Sequence, residues 1–269
     1  MRNTGSKARR AVSNIADHGV GKDRKPKQAT RLRNSPLPKS APRPAHPRVG
    51  LTKELIVRAA LALIDEAGLE GLTIRALSSR LGVQTRTIYW HVGPRTAILA
   101  ATVELVLSGI APPPARNWED WLRTLFRNFR RAVAKHPNIA AVIGAQMVPS
   151  ATADFDLAEQ ILSTLARAGF DGDRLVGAFS AVISTMAGFV TIEFATPPLE
   201  EAVEWSDEMQ QKIAAIDEQS HPILHRMKSR MINRALVLRW KRGTEAPLDL
   251  GFEALTEIFI AGLACYVRK

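Results

Sequence analysis

Beyond residue 50, apolar positions recur at intervals of three and four almost without a break, the spacing of one buried helix face. No stretch alternates with the period of two that a half-buried strand requires. Leu51, Leu55, Ala59, Leu63 and Ala67 predict the face of a first helix, with Thr52 as its N-cap and Gly68 as its stop. Thr73 predicts the cap of a short second helix ending at Leu81, and Gly82 supplies the positive-φ residue of a tight turn. A third short helix follows from about Gln84 to His91. Gly93-Pro94 opens a fourth, with proline in its first turn, where a missing N–H costs little. Pro112-Pro113-Pro114 interrupts the pattern, after which Trp118, Trp121, Leu122, Leu125, Phe126, Phe129 and Val133 stripe a fifth helix that His136-Pro137 ends. Helices are predicted at about 138–147, 152–168 and 172–195. The polar stretch from Pro197-Pro198 to about 245 has room for two more, and the last runs from about Leu248 to Val267. The fold class is all-α: a small three-helix unit followed by a larger helical domain.

Charge changes the picture at one end only. Residues 1–48 hold 13 Lys or Arg against Asp17 and Asp23, so the whole formal excess of +11 lies there and the remaining chain is neutral. The same segment carries six prolines and few large apolar side chains, too little to offset the entropy of ordering it. It reads as a disordered basic arm, either contacting DNA or merely a solvated tail or an early start. It has no apolar core of a secretory signal. The single cysteine, Cys265, excludes an intrachain disulfide and fits a cytoplasmic protein. Leu175 to Ile192 is 18 residues without a charge, near the length of a membrane span, but it contains Ser180, Ser184, Thr185 and Thr191 and no basic cluster flanks it. A buried helix is the preferred reading, with no membrane partner.

Two short helices joined at Leu81-Gly82-Val83 fit a helix-turn-helix, whose second helix enters the DNA major groove. In that helix Ile88 and Val92 face inward, so Thr85, Arg86 and Tyr89 face outward. Arginine can bond guanine bidentately, and threonine or an aromatic ring can touch a thymine methyl. Adjacent exposed aromatics make little packing sense without a partner. The run Leu63-Ile64-Asp65-Glu66-Ala67-Gly68-Leu69-Glu70-Gly71-Leu72-Thr73, then Arg75, Leu81-Gly82-Val83 and Thr87-Ile88-Tyr89-Trp90-His91-Val92, resembles the N-terminal domain of the TetR family, and the tetracycline repressors above all. The resemblance implies an all-helical homodimer that binds palindromic double-stranded operator DNA and responds to a small-molecule effector. It also implies that Arg75, Thr85, Arg86, Thr87, Tyr89 and Trp90 face the operator while His91 and Arg95 hold phosphates. Arg48, where the arm meets the first helix, joins this DNA-binding set. Thr85 and Arg86 replace a glutamine and a proline of the tetracycline repressors, which implies a different operator. The expected divisions are an arm over 1–48, a DNA-binding domain over 49–95 and an effector-binding and dimerisation domain over 96–269.

In the last of these, Gly177, Ala181, Ser184, Thr185 and Gly188 form a small-residue face on the eighth helix, and Leu255, Ile258, Gly262 and Cys265 stripe the final one. The resemblance implies that these helices of two subunits pack as a four-helix bundle. Candidates for an apolar effector cavity are Trp118, Phe129, Met147, Phe155, Met186 and Phe189, with Trp121, Phe126 and Phe179 beside them. Glu193 is the polar candidate, since a carboxylate there needs either a salt-bridge partner or a ligand. No histidine stands where the tetracycline repressors hold their magnesium–drug complex, so tetracycline is not the effector expected. His221 and His225, four apart, can be a metal pair or a solvated surface. No nucleophile–base pair or phosphate loop supports an enzyme, and no cofactor is expected. A regulator, most simply a repressor, is the leading class. The alternative is an architectural DNA binder or an activator without an effector.

Overall fold

A computed structural model describes residues 50–147, 155–195 and 202–267, apart from the side chains of residues 144–147 and 202. The basic arm with Arg48, and the Met147 side chain, lie outside the described residues. These residues form eleven α-helices and a 3-10 turn, with no strand among them.

Local chemistry sets the first three helices. Helix α1 is Lys53–Gly71, and the Thr52 hydroxyl accepts from the Leu55 amide at 3.2 Å. Gly68, at φ 68° and ψ −173°, stops the regular helix as expected, and a further short turn after the kink carries the element to Gly71. Helix α2 is Ile74–Leu81, capped by Thr73 on the Ala76 amide at 3.0 Å. Gly82 sits at φ 65°, ψ 29°, letting the Val83 amide reach back to the Ser78 carbonyl at 3.1 Å. Helix α3 is Thr85–His91; Gln84 is its N-cap residue rather than its first turn. Helix α4 is Arg95–Leu107, and Pro94 likewise stands at the N-cap. Ile56, Ala60 and Ile64 of α1 pack with Leu72, with Leu77 of α2, with Ile88 of α3 and with Ile98 of α4 in a fully buried core. Arg80 of α2 holds Glu66 of α1 through two hydrogen bonds of 2.6 and 2.8 Å.

The larger part is built around α5, Trp118–Lys135, whose Trp121, Leu122, Leu125, Phe126, Phe129 and Val133 are all buried. The 3-10 turn Pro137–Ile139 leads into α6, Ala140–Met147; α7 is Phe155–Arg167 and α8 is Gly172–Glu193. Helices α9, Ala202–Ala214, and α10, Pro222–Met231, precede α11, Asp249–Val267. α5 contacts α4, α7, α8 and α11, and α8 also contacts α6 and α7. By length and composition α8 and α11 could each cross a membrane. In this fold Ala178, Val182, Met186, Phe189, Val190 and Glu193 of α8 are buried against the other helices. The described residues belong to one compact unit, in which α4 packs on α1 and also on α5 and α6.

One ion pair ties three of these helices together. The Glu193 side chain has no exposed surface; its two oxygens accept from Arg130 Nε and Nη2 at 2.8 and 2.6 Å, and one also accepts from the Leu248 amide at 2.9 Å. Arg130 Nη1 reaches Asp249 at 2.8 Å, and its guanidinium lies 4.6 Å from the centre of the Phe252 ring. The Glu193 hydrogen bonds, outweighing the opposing effect of burial, hold the Arg130 guanidinium above its ordinary range. Removing one partner of such a pair strands the other charge in a dry site. Arg130→Ala is therefore expected to cost about 3 kcal/mol or more in urea unfolding. Glu193→Gln in the Arg130→Ala background should recover part of that loss, because the stranded charge is gone.

Candidate DNA-reading face and ligand clefts

The backbone turn at Gly82 and the burial of Ile88 fix which side of α3 meets solvent. Thr85 and Arg86 are exposed, Tyr89 is 52% exposed and Trp90 is 82% exposed. Thr87 and His91 are half-buried, and Trp90 stacks edge-on against His91 with ring centres 4.8 Å apart. Arg75 is exposed near the start of α2. Arg95 differs from its expected role: its Nε and Nη2 donate to the Leu72 and Leu69 carbonyls, both at 2.8 Å. Leu72 follows the end of α1 and Leu69 stands in its last turn, so Arg95 fastens the start of α4 onto the end of α1.

The same small domain is bonded to the rest of the fold at a second place. His136 Nδ1 lies 2.8 Å from an Asp65 carboxylate oxygen. The Asn138 amide nitrogen donates to the Ile64 and Asp65 carbonyls at 2.9 and 3.2 Å. Arg242 Nη2 in turn donates to the Asn138 side-chain oxygen at 3.0 Å and to the Phe194 carbonyl at 3.2 Å. Its neighbour Gly243 donates its amide to the Glu193 carbonyl at 2.9 Å. A Cβ at Gly243 would come within 2.5 Å of Glu193 Cγ, so this approach requires glycine. A short polar chain thus runs from Glu193 and Phe194 through Arg242 and Asn138 to the backbone of α1.

The effector candidates do not share one cavity. Phe129 and Met186 are packed into the core, Trp118 is half-buried against the Phe170 ring, and Phe155 is 73% exposed at the start of α7. The reason is that an aromatic stripe alone does not say which side chains fill the interior. Phe189 lines a cleft of about 370 Å³ with Gly188, Ile192, Leu248 and Leu255. Glu193 lines another of about 600 Å³ with Arg127, Arg130, Arg131, Phe194, Gly243 and Phe252, but its carboxylate is already paired. A third cleft, of about 550 Å³, lies among Ile192, Trp205, Met209 and residues 236–242. Sequence reasoning missed Arg130, Asn138, Arg239 and Arg242. Arg130 alone left a trace, as a charge four residues after Phe126 on an otherwise apolar stripe. Among the described residues no three His, Cys, Asp or Glu side chains gather as a metal site, and His225 Nδ1 is buried without a partner.

Comparison with known proteins agrees with this geometry. The sequence pattern of bacterial regulatory proteins of the tetR family matches residues 56–105, and that of the tetracyclin repressor-like C-terminal domain matches residues 111–237. Tetracycline repressor protein class E of Escherichia coli is 31% identical over 155 residues, 56% of this chain and 72% of that protein. The class G repressor of Vibrio anguillarum is 28% identical over 215 residues, 78% of this chain and 98% of that one. ActR of Streptomyces coelicolor, solved in complex with (S)-DNPA, shares the fold with a TM-score of 0.63 at 22% identity, over 81% of this chain and 98% of its own. With its reading helix, its helical C-terminal body and these relatives in agreement, the chain belongs to the TetR family of ligand-responsive, DNA-binding transcription regulators, and is not an enzyme.

Proposed function

We propose that this protein is a cytoplasmic repressor that binds a palindromic operator as a homodimer and leaves it when a small molecule occupies the C-terminal domain. The observation that carries the DNA reading is the outward placement of Arg86, Tyr89 and Trp90 on a helix whose opposite side is locked by Ile88. Thr85, Arg86, Thr87, Tyr89 and Trp90 read base edges or adjoining sugars, Arg75 supports them from α2, and His91 holds a phosphate. Arg48 and the basic arm add sequence-independent affinity. Binding-site selection followed by anisotropy titration is the direct test. Arg86→Ala should weaken the selected operator about tenfold or more and relax preference at one symmetric position, as loss of a bidentate base contact does. An unchanged selected sequence would remove Arg86 from the reading set.

Support for a dimer comes from apolar surface that is exposed among the described residues. On α8, Gly177, Ser184, Gly188 and Ile192 are exposed; on α11, Leu250 is 60% and Ile258 72% exposed, with Gly262 and Cys265 on the same side. Open space surrounds Gly188 and Gly262, so a second backbone can approach both. A two-fold dimer matches a palindrome because each copy presents the same helix to one half-site. Gly188→Trp should shift the mass found by light scattering from dimer to monomer while the circular dichroism spectrum stays helical. A folded variant of unchanged mass would exclude this face.

Support for ligand response comes from the clefts beside α8 and from the polar chain that leads from them to α1. The related ActR is known in complex with actinorhodin and with (S)-DNPA. A ligand shifts a two-state equilibrium only by its differential affinity for the two states. The Arg242–Asn138 contact provides such a difference, since one face of the chain borders a cleft and the other holds the backbone at Ile64 and Asp65. Arg242→Ala, a change outside the reading helix α3, should alter operator affinity about threefold or more. In an Asn138→Ala background the same substitution should have little further effect, the signature of coupled residues. Additive effects would show that the two side chains act separately.

A further inference from the structure

The loop that follows α10 carries more positive charge than its surroundings neutralise. Arg239 donates from Nε and Nη2 to the Lys241 carbonyl at 2.9 and 2.6 Å, but its Nη1 is buried and has no acceptor among the described residues. Arg242 spends Nη2 on Asn138 and Phe194, while its Nε is likewise buried and unpartnered. Neither guanidinium forms an ion pair among the described residues. The acid whose charge Arg239 feels is Glu193, and that carboxylate is already held by Arg130 and the Leu248 amide. Burial lowers the affinity of Arg239 for its proton, and the Glu193 charge only opposes this. A cationic N–H taken out of water without an acceptor is costly.

The backbone around these arginines is held in an unusual shape. Leu238 sits at φ 58°, a region that non-glycine residues seldom occupy, and Asn233 at φ 54°, where asparagine is better tolerated. The Asn233 side-chain oxygen accepts from the Trp240 and Lys241 amides at 3.0 and 3.1 Å, and its own amide donates to the Leu238 carbonyl at 3.0 Å. Backbone strain that the surroundings enforce tends to accompany ligand contacts. Here it presents Arg239 to the cleft of about 550 Å³ whose other walls include Ile192, Trp205, Met209 and Trp240.

We propose that this cleft binds an organic anion, a carboxylate on a flat apolar body, with Arg239 as its counter-charge and Arg242 beside it. The carboxylate supplies acceptors to N–H groups that lack them, and bonds between two charged groups are stronger than those between neutral ones. The aromatic and aliphatic walls cover the body. A cation would meet two arginines, which excludes the aromatic-cage use of Trp205 and Trp240. The assignment rests on the reading of the C-terminal domain as effector-binding, and it names the effector's chemical class. Because Arg242 also holds Asn138, an anion here competes directly for the contact with α1.

The test uses 2-naphthoate, 2-naphthamide and 2-naphthylmethylammonium, titrated into the full-length protein by calorimetry and followed by tryptophan fluorescence. The acid should bind about tenfold tighter than the amide, with the ammonium weakest, as expected for one charge-assisted contact. Arg239→Met should weaken the acid to the level of the amide and leave the amide unchanged. It should not lower the melting temperature, because it removes an uncompensated cation. Arg239→Lys should recover part of the acid's advantage. Where the methionine variant does not fold, Arg239→Gln takes its place. Equal binding of acid and amide, preference for the ammonium, binding of none of the three, or a uniform loss with a lower melting temperature in Arg239→Met would each overturn the proposal. Operator affinity measured alongside separates the two readings. An acid bound through Arg239 that leaves operator affinity unchanged keeps this site and refutes its role as an effector site. Release of DNA by the neutral probe, independent of Arg239, keeps ligand response and refutes the anion site.

Discussion

A carboxylate with no exposed surface has to be neutralised where it stands, and much of this architecture follows from how Glu193 is. Arg130 of α5 grips both of its oxygens, and the Leu248 amide at the entry to α11 takes one of them as well. Arg130 extends the node to Asp249 and lies over Phe252, so α5, the end of α8 and the start of α11 meet at one group. The main chain at the same point receives the Gly243 amide, which positions Arg242. Good geometry and filled lone pairs are what make such a buried pair tolerable, and breaking it is far more harmful than never having had it. These directional bonds hold the late loop on α8 at several points at once.

From that node the structure reaches the DNA-reading end through polar contacts as well as packing. Asn138 touches α1 at the carbonyls of Ile64 and Asp65, His136 meets the Asp65 carboxylate, and Arg95 holds the Leu69 and Leu72 carbonyls. Bonds of this kind are directional, so a small displacement of one partner breaks them where a greasy contact would slide. A regulator needs an orientation that is firm in one state and can be exchanged for another. The arrangement at Asn138 and Arg242 has that character. The Arg239 cleft lies immediately beside it, which gives a ligand a short route to the same contact.

The uncovered apolar surface has a different logic. Ile258, Leu250 and Ile192 stand on helices whose other faces are buried in the core, and small residues line the path between them. Apolar length alone would suit a membrane span for α8 and α11. A long apolar helix is equally what results when one face serves the core and the opposite face serves a second copy of the chain. The placement of Glu193 near the end of α8, paired inside the protein, belongs with the second description.

What could be read directly from the chain is what short-range chemistry encodes. Thr52, Thr73 and Gly82 mark helix starts and a turn because each acts on backbone atoms within a few residues of itself. Ile88 facing inward places Thr85, Arg86 and Tyr89 outward by helical periodicity alone. The stripe of α5 and the breaks at Pro112–Pro114 and His136-Pro137 follow from the same local rules. The ligand side was not legible in that way. Phe129 and Phe155 are the same residue type on neighbouring amphipathic helices, yet one is buried and the other largely exposed, because burial depends on what packs opposite. Arg130 and Glu193 are 63 residues apart, and Asn138 and Arg242 are 104 apart. Arg239 and Arg242 lie in a loop with no periodicity to betray them. The sequence by itself determined the helices, the turn and the outward face of the reading helix. Which charges meet, which remain without a partner, and how the late loop reaches α1 were decided only by tertiary structure, since those contacts join segments that local propensity cannot relate.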